Sequence, residues 1–239
     1  MTNSIYASLA RQSGLMKEMQ SVAHNIANSA TTGFRANSVV FSEFVNATGG
    51  DQPSLSMATA GAHLISQSQG SLTQTGGHFD FAIEGEGFFQ IETPNGIRIS
   101  RAGAFFPTPE GDLVTADGHR VLDAGGAPVF VPSDAGEIAL ASDGTLSVSG
   151  NPLAQLGIVR PADDATLIRE DGVRFNVDGE VEIVENPTVL QGFLESSNVD
   201  PVGEIARMIQ VQRAYEMGQS FLEKEEDRLR SIMSLISNR

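Results

Sequence analysis

Apolar residues at the two ends of the chain recur with helical spacing, while between them they alternate in short runs bounded by turn residues. Near the start, Ile5, Leu9, Gln12, Met16, Met19, Ala23 and Ile26 are separated by alternating steps of four and three, the a/d spacing of a narrow helical seam in which Gln12 is the polar member. Near the end, Met208, Tyr215, Leu222, Leu229 and Ile236 recur every seven residues, accompanied by Ile205, Gln212, Gln219, Glu226 and Met233 at the companion position. The spacing predicts helices over 4–28 and 201–236, about 38 Å and 54 Å long at roughly 1.5 Å per residue. Turn chemistry from Ser29 to Gly33 ends the first near Asn28; Asp200 as N-cap and Pro201 at the first helical position begin the second.

A lone helix with so narrow a seam is marginal in water. Each seam therefore needs a partner: the chain's other end, another copy, or a different protein. A two-helix lid on a globular domain satisfies the same periodicity.

Residues 46–77 are rich in Gly, Ser, Thr, Gln and Ala without a firm period and read as extended connection, so 36–77 is expected to be a linker region. From 78 to 195 the punctuation changes. Asn95-Gly96, Asp117-Gly118, Asp143-Gly144 and Asp171-Gly172 or Asp178-Gly179 sit between alternating apolar runs, the signature of β-hairpins. Phe89 and Ile91 are expected to pair with Ile97 and Ile99, Leu113 with Val121, Ile138 and Leu140 with Leu146 and Val148, and Val173, Phe175 and Val177 with Val181 and Ile183. The fold class is α+β: terminal helical segments (1–35 and 196–239) with coiled-coil-like seams and a central, mostly antiparallel β domain (78–195).

Composition narrows the function. With 15 Lys and Arg against 30 Asp and Glu the net charge is −15, which argues against nucleic acid as a partner, because phosphate binding needs clustered cations. No apolar run approaches a membrane span or a cleaved signal sequence, so neither integral membrane insertion nor a cleaved signal peptide is expected. Zero cysteines remove disulfides, thiolate metal sites and cysteine nucleophiles together.

Catalytic and metal patterns are weak throughout. Asn176, Asp178, Gly179 and Glu185 match part of a calcium loop, but Arg174 stands where the first carboxylate belongs. His24, His63, His78 and His119 lack metal-ligand spacing, so no metal is expected. Gly85-Glu86-Gly87 leads into a strand rather than a helix and reads as a turn, not a dinucleotide cradle. Paired carboxylates such as Glu84 and Glu86, or Asp163 and Asp164, read as surface charge rather than a glycosidase couple. Neither a cofactor nor a small-molecule substrate is expected, and no enzyme activity.

Three stretches carry a more specific signal. His24-Asn25-Ile26-Ala27-Asn28 is followed by Thr31-Thr32-Gly33-Phe34-Arg35; the middle holds Phe81 to Phe89, Ser100-Arg101-Ala102-Gly103-Ala104-Phe105 and Gly111 to Thr115; the end holds Glu195 to Pro201 and Met208-Ile209-Gln210-Val211-Gln212-Arg213-Ala214-Tyr215-Glu216. Together these resemble the bacterial flagellar rod and hook family of axial proteins, and Asp200-Pro201 and the length favour the proximal-rod type over the distal. The resemblance implies a structural subunit of the rod crossing the periplasm, exported unfolded by the flagellar type III apparatus, with terminal helices forming an inner tube and the β domain outside it. Its partners would be other rod proteins, copies of itself and the export apparatus.

The expected assembly residues are then Ile5, Leu9, Met16, Met19, Asn25, Ile26 and Asn28 on the first helix, Gly33 and Phe34 in the turn, Asn198 before the second helix, and Met208, Gln212, Arg213, Tyr215, Glu216, Leu222, Leu229 and Ile236 along it. The competing reading is a stand-alone acidic β domain, a hydrolase or carbohydrate-binding module whose helices serve as a lid.

Overall fold

The computed structural model describes residues 2–46, 55–132, 136 and 138–237, and side chains within 8–40, 64–132 and 138–234. The chain divides into two units. The first comprises Met1–Ala27, Ala36–Ser66 and Asp200–Arg239; the second comprises Asn28–Arg35 and Gln67–Val199.

In the first unit, α1 (Thr2–Ala27) and α2 (Pro201–Ser237) join a ribbon of β1 (Asn37–Asn46) and β2 (Leu55–Ile65). The start of α2 follows local chemistry. Asp200 accepts the Val202 N–H on Oδ1 at 3.1 Å and the Glu204 N–H on its carbonyl at 3.0 Å, and Pro201 opens the helix where its missing N–H is no loss. The helices run antiparallel, for Gln12 reaches Tyr215 while Glu18 meets Arg207 and Asn25 meets Glu204.

The ribbon corrects the linker expectation for 36–77. Asn37 pairs with Ile65 and the antiparallel ladder continues to Asn46 opposite Leu55. A register shift between Val40 and Phe41 breaks the period-two alternation, which is why the segment does not read as strand. Residues 67–77 belong to the second unit, where β3 (Leu72–Gln74) pairs with Phe193–Glu195.

The second unit is antiparallel β structure. β4 (Phe81–Glu84) pairs with Thr188–Gln191, and β5 (Phe88–Thr93) forms a hairpin with β6 (Gly96–Ser100) inside a nine-stranded sheet. Ile158–Pro161 adds to one end of β5 and carries Val181–Ile183 on its other edge. Phe89 and Phe105, both almost fully buried, meet edge to face at 5.3 Å in a core shared with Phe81, Ile83, Leu146 and Leu156.

Four of the expected hairpins form, at Asn95-Gly96, Asp117-Gly118, Asp143-Gly144 and Asp171-Gly172. The pairing across Asp178-Gly179 does not. Arg174–Asp178 already has a neighbour on each edge, Thr166–Asp171 and β6, so Val181–Ile183 crosses to Ile158–Pro161 instead. Arg174, in the first position of the calcium-like run, bridges Asp171 at 2.6 Å and Asp117 at 2.7 Å.

Candidate functional site

On α1 the covered stripe is Leu15, Glu18, Ser21, Val22 and Asn25, all buried. It is rotated by one residue, about 100°, from the sequence-derived seam. Leu9 is 50% exposed and Met16 40%, whereas Met19 and Ile26 are half-buried. The polar members explain the shift: a hydrophobic count passes over Glu18, Ser21 and Asn25, yet each is buried because it has a hydrogen-bonding partner. Glu18 Oε1 accepts from Arg207 Nε at 2.9 Å and lies 2.8 Å from Nη2, and Ser21 Oγ donates to the Asn37 carbonyl at 2.9 Å.

Asn25 carries the most of this burden. Its Nδ2 donates to the Asn37 carbonyl at 2.8 Å while its Oδ1 accepts the Asn37 N–H at 2.9 Å, so the side-chain amide pairs with β1 as a neighbouring strand would. The same Nδ2 lies 3.2 Å from Glu204 Oε1, which brings α2 to the same point. Asn28 Oδ1 accepts from Thr31 Oγ1 at 3.2 Å.

On α2, Glu204, Met208, Val211, Tyr215, Gly218, Leu222, Glu225 and Leu229 are less exposed in steps of four and three, with Ala214 beside Tyr215 also half-buried. Met208, Tyr215, Leu222 and Leu229 thus share the covered face, but the companion series is Glu204, Val211, Gly218 and Glu225 rather than Ile205, Gln212, Gln219 and Glu226. A Cβ at Gly218 would lie 2.5 Å from Gln12 Nε2, so a larger residue there would make the Gln12 side chain shift. Gln212, Arg213 and Glu216 are exposed, and Ile5 and Ile236 lie outside the residues whose side chains are described. Ile205, Ile209, Met217 and Phe221 also remain 44–66% exposed.

In the second unit the segment 33–35 is driven into the β structure. Phe34 is fully buried and the Arg169 guanidinium lies over its ring, 4.4 Å from the centroid. Gly33 has φ of +70°, and a Cβ on it would fall 2.3 Å from the Ala102 backbone nitrogen, so both the conformation and the space require glycine. Its N–H donates to the Glu195 carbonyl at 2.7 Å, and the Asn198 N–H donates to the Phe34 carbonyl at 3.3 Å.

Around Glu195 the buried charges converge. One carboxylate oxygen faces Arg35 Nη2 at 3.0 Å and accepts the Gly70 N–H at 3.0 Å; the other accepts from Arg101 Nη1 at 3.2 Å. All three side chains are almost completely buried, at 1%, 1% and 3% exposure for Arg35, Glu195 and Arg101. Arg35 also donates to the Gln67 and Ser68 carbonyls, and Arg101 to the Ile83 and Gly85 carbonyls. Asn198 Nδ2 donates to the Ser68 carbonyl at 2.7 Å. Three stretches of chain, 33–35, 67–70 and 195–198, are therefore tied together, and each adjoins a boundary of the unit.

Burial pushes the Arg101 guanidinium down to about 10 against the opposing pull of Glu195; it lowers Arg35 in the same way, and Arg169 to about 10. Guanidinium groups so shifted still carry their charge at neutral pH. Sequence reasoning assigned no role to Arg35, Arg101 or Glu195. The available signal was their setting: each stands inside a stretch the sequence had already singled out, Thr31 to Arg35, Ser100 to Phe105 and Glu195 to Pro201.

Two family descriptions match separate parts of the chain: the flagellar hook protein FlgE/F/G D1 domain over residues 82–148, and the flagellar basal body rod FlgEFG protein C-terminal over 190–235. A flagellar basal-body rod protein FlgF from Mesorhizobium japonicum is 38% identical over 219 residues, 90% of each chain. The chain belongs to the flagellar basal-body rod protein family. FlgF of Rhizobium meliloti is 37% identical over 90% of each chain, and the rod protein FlgG of Bacillus subtilis 28% identical over 98% of this chain and 99% of its own. Of the residues of the buried centre, Arg101 lies in the matched 82–148 region and Glu195 and Asn198 in the matched 190–235 region, while Arg35 lies outside both.

Proposed function

We propose that this chain is a non-catalytic structural subunit of the flagellar basal-body rod, of the proximal type, assembling through its terminal helices with copies of itself and with other rod proteins into the drive shaft across the periplasm. The observation that carries the reading is the 38% identity to a rod protein across 90% of both chains. FlgF-named relatives span 28–38% identity and FlgG-named ones 28–33%, and the relatives at 37–38% are all FlgF-named, which supports the proximal over the distal type.

The helical unit supplies a physical reason. Leu9, Met16, Ile205, Ile209, Met217 and Phe221 are roughly half-exposed on α1 and α2. Covering them in an assembly is worth about 5 to 9 kcal/mol per subunit, taking half of the 1.5 to 3 kcal/mol of a fully buried side chain for each. Neighbouring helices of like subunits would be the cover, in a coiled-coil-like inner layer. No helix among the described residues is long and apolar enough to cross a membrane. Passage to the periplasm would be through the type III apparatus.

The test is a chromosomal Leu222→Asp substitution, which buries a carboxylate in the helix seam. The expected result is a chain that is still exported but is absent from the rod, with hook assembly blocked and motility lost. Normal incorporation and motility would refute the seam reading.

A further inference from the structure

Beside the buried centre, within the β unit, is a cleft of about 170 Å³ lined by Arg35, Arg101, Arg160, Gly87, Phe88 and Gln67, with Glu86 and Asp163 also contributing. Two of its arginines are almost completely buried, at 1% and 3% exposure, and the one carboxylate buried with them is Glu195. One guanidinium charge is thus left over in the interior. The buried Nε atoms of Arg35 and Arg101 have no hydrogen-bond acceptor, and Arg35 Nη2, though near Glu195, is not aligned for a hydrogen bond to it. Water can satisfy such N–H groups but cannot balance the charge, and an uncompensated buried cation is among the costlier features a fold can keep.

The carboxylates at the cleft supply the balance only in part: Glu86 joins Glu195 in favouring the charged form of Arg101, but from a solvated position. Glu86 is 86% exposed and faces Arg160 at 3.8 Å, Arg160 is also paired with Glu182 at 2.6 Å, and Asp163 is exposed. Gly87, which borders the cleft, has φ of +123°, and a Cβ there would meet Ile158 Cγ2 at 2.7 Å, so both conformation and packing keep this position glycine. Arg101 lies over the Phe88 ring at 5.3 Å, which holds the guanidinium plane in place.

We propose that this cleft binds one small oxyanion, of the phosphate or free carboxylate class, with Arg35 and Arg101 on its inner wall and Arg160 at its mouth. The bidentate fork of a guanidinium suits such a ligand. At about 30 Å³ per water, the volume holds an oxyanion with accompanying waters.

Isothermal titration of the full-length chain with inorganic phosphate, at pH 7 and at constant ionic strength held with sodium chloride, reads this directly. The expected result is one saturable site per chain, weakened at least tenfold by Arg160→Gln and tightened several-fold by Glu86→Gln, which removes a competing carboxylate. Both side chains are solvent-accessible, and unchanged circular dichroism of the two variants separates binding from folding. Heats that do not saturate, or that are the same in all three proteins, would overturn the proposal while leaving the rod reading untouched.

Discussion

Replacing Glu195 tests the buried centre most severely. Glu195→Ala leaves Arg35 and Arg101 facing each other with no counter-charge and removes the acceptor of the Gly70 N–H. Breaking a buried ion pair by removing one partner costs about 3–5 kcal/mol, and an unsatisfied buried N–H adds about 1–3 kcal/mol. The sum is comparable with the whole stability of a typical domain, about 5–15 kcal/mol, so the β unit of this variant should be largely unfolded. Glu195→Gln is the informative companion. It keeps an oxygen for Gly70 and loses the charge, and should cost about 3 kcal/mol. Hydrogen exchange followed by mass spectrometry at pH 7 reads each unit separately. For Glu195→Gln, protection in peptides from 67–71 and 81–101 should fall about a hundredfold, at 1.4 kcal/mol per factor of ten. Protection within threefold of the parent in both segments would refute the claim that Glu195 holds this unit together.

Asn25→Ala removes both hydrogen bonds to the Asn37 backbone and should cost the helical unit about 1–3 kcal/mol, seen as faster exchange at 37–40. Asn25→Asp should be worse, because its carboxylate would face the Asn37 carbonyl and Glu204. Gly33→Ala meets both a positive φ and a backbone contact at 2.3 Å, and should destabilise by more than 2 kcal/mol in denaturant titration. Glu170 is held below its ordinary value of about 4.5 by the hydrogen bond from Arg98. A carboxyl so depressed contributes stability above that value and loses it as pH falls through the lower, folded one. The stability difference between the parent and Glu170→Gln should therefore shrink on acidification below about pH 4.5; a difference constant from pH 6 to pH 3 would contradict it.

How far the sequence could be read depended on which interactions decide each element. The helices announced themselves because heptad spacing and the Asp200-Pro201 start are local signals, and Met208, Tyr215, Leu222 and Leu229 do share the covered face of α2. The rotation of the α1 stripe was hidden, since Glu18, Ser21 and Asn25 are buried by hydrogen bonds to residues 12 to 189 positions away. Asn-Gly and Asp-Gly turns placed four hairpins correctly because each turn and its pairing are one local event. Asp178-Gly179 failed as a hairpin because a competing neighbour from 96–100 occupies the edge, and that is a tertiary fact. The ribbon at 37–65 was lost to its bulge and its small residues. Arg35, Arg101 and Glu195 were visible as parts of motifs, but their meeting required the fold, since 94 positions separate even the nearer ion pair.

Mass spectrometry of hook-basal bodies purified from the source organism and stripped stepwise from the hook inward tests the central claim most directly. The account predicts that this chain is retained with the rod after the hook is removed and leaves together with other rod proteins. Its absence from those particles, with recovery of the protein as a free soluble monomer, would contradict the rod assignment.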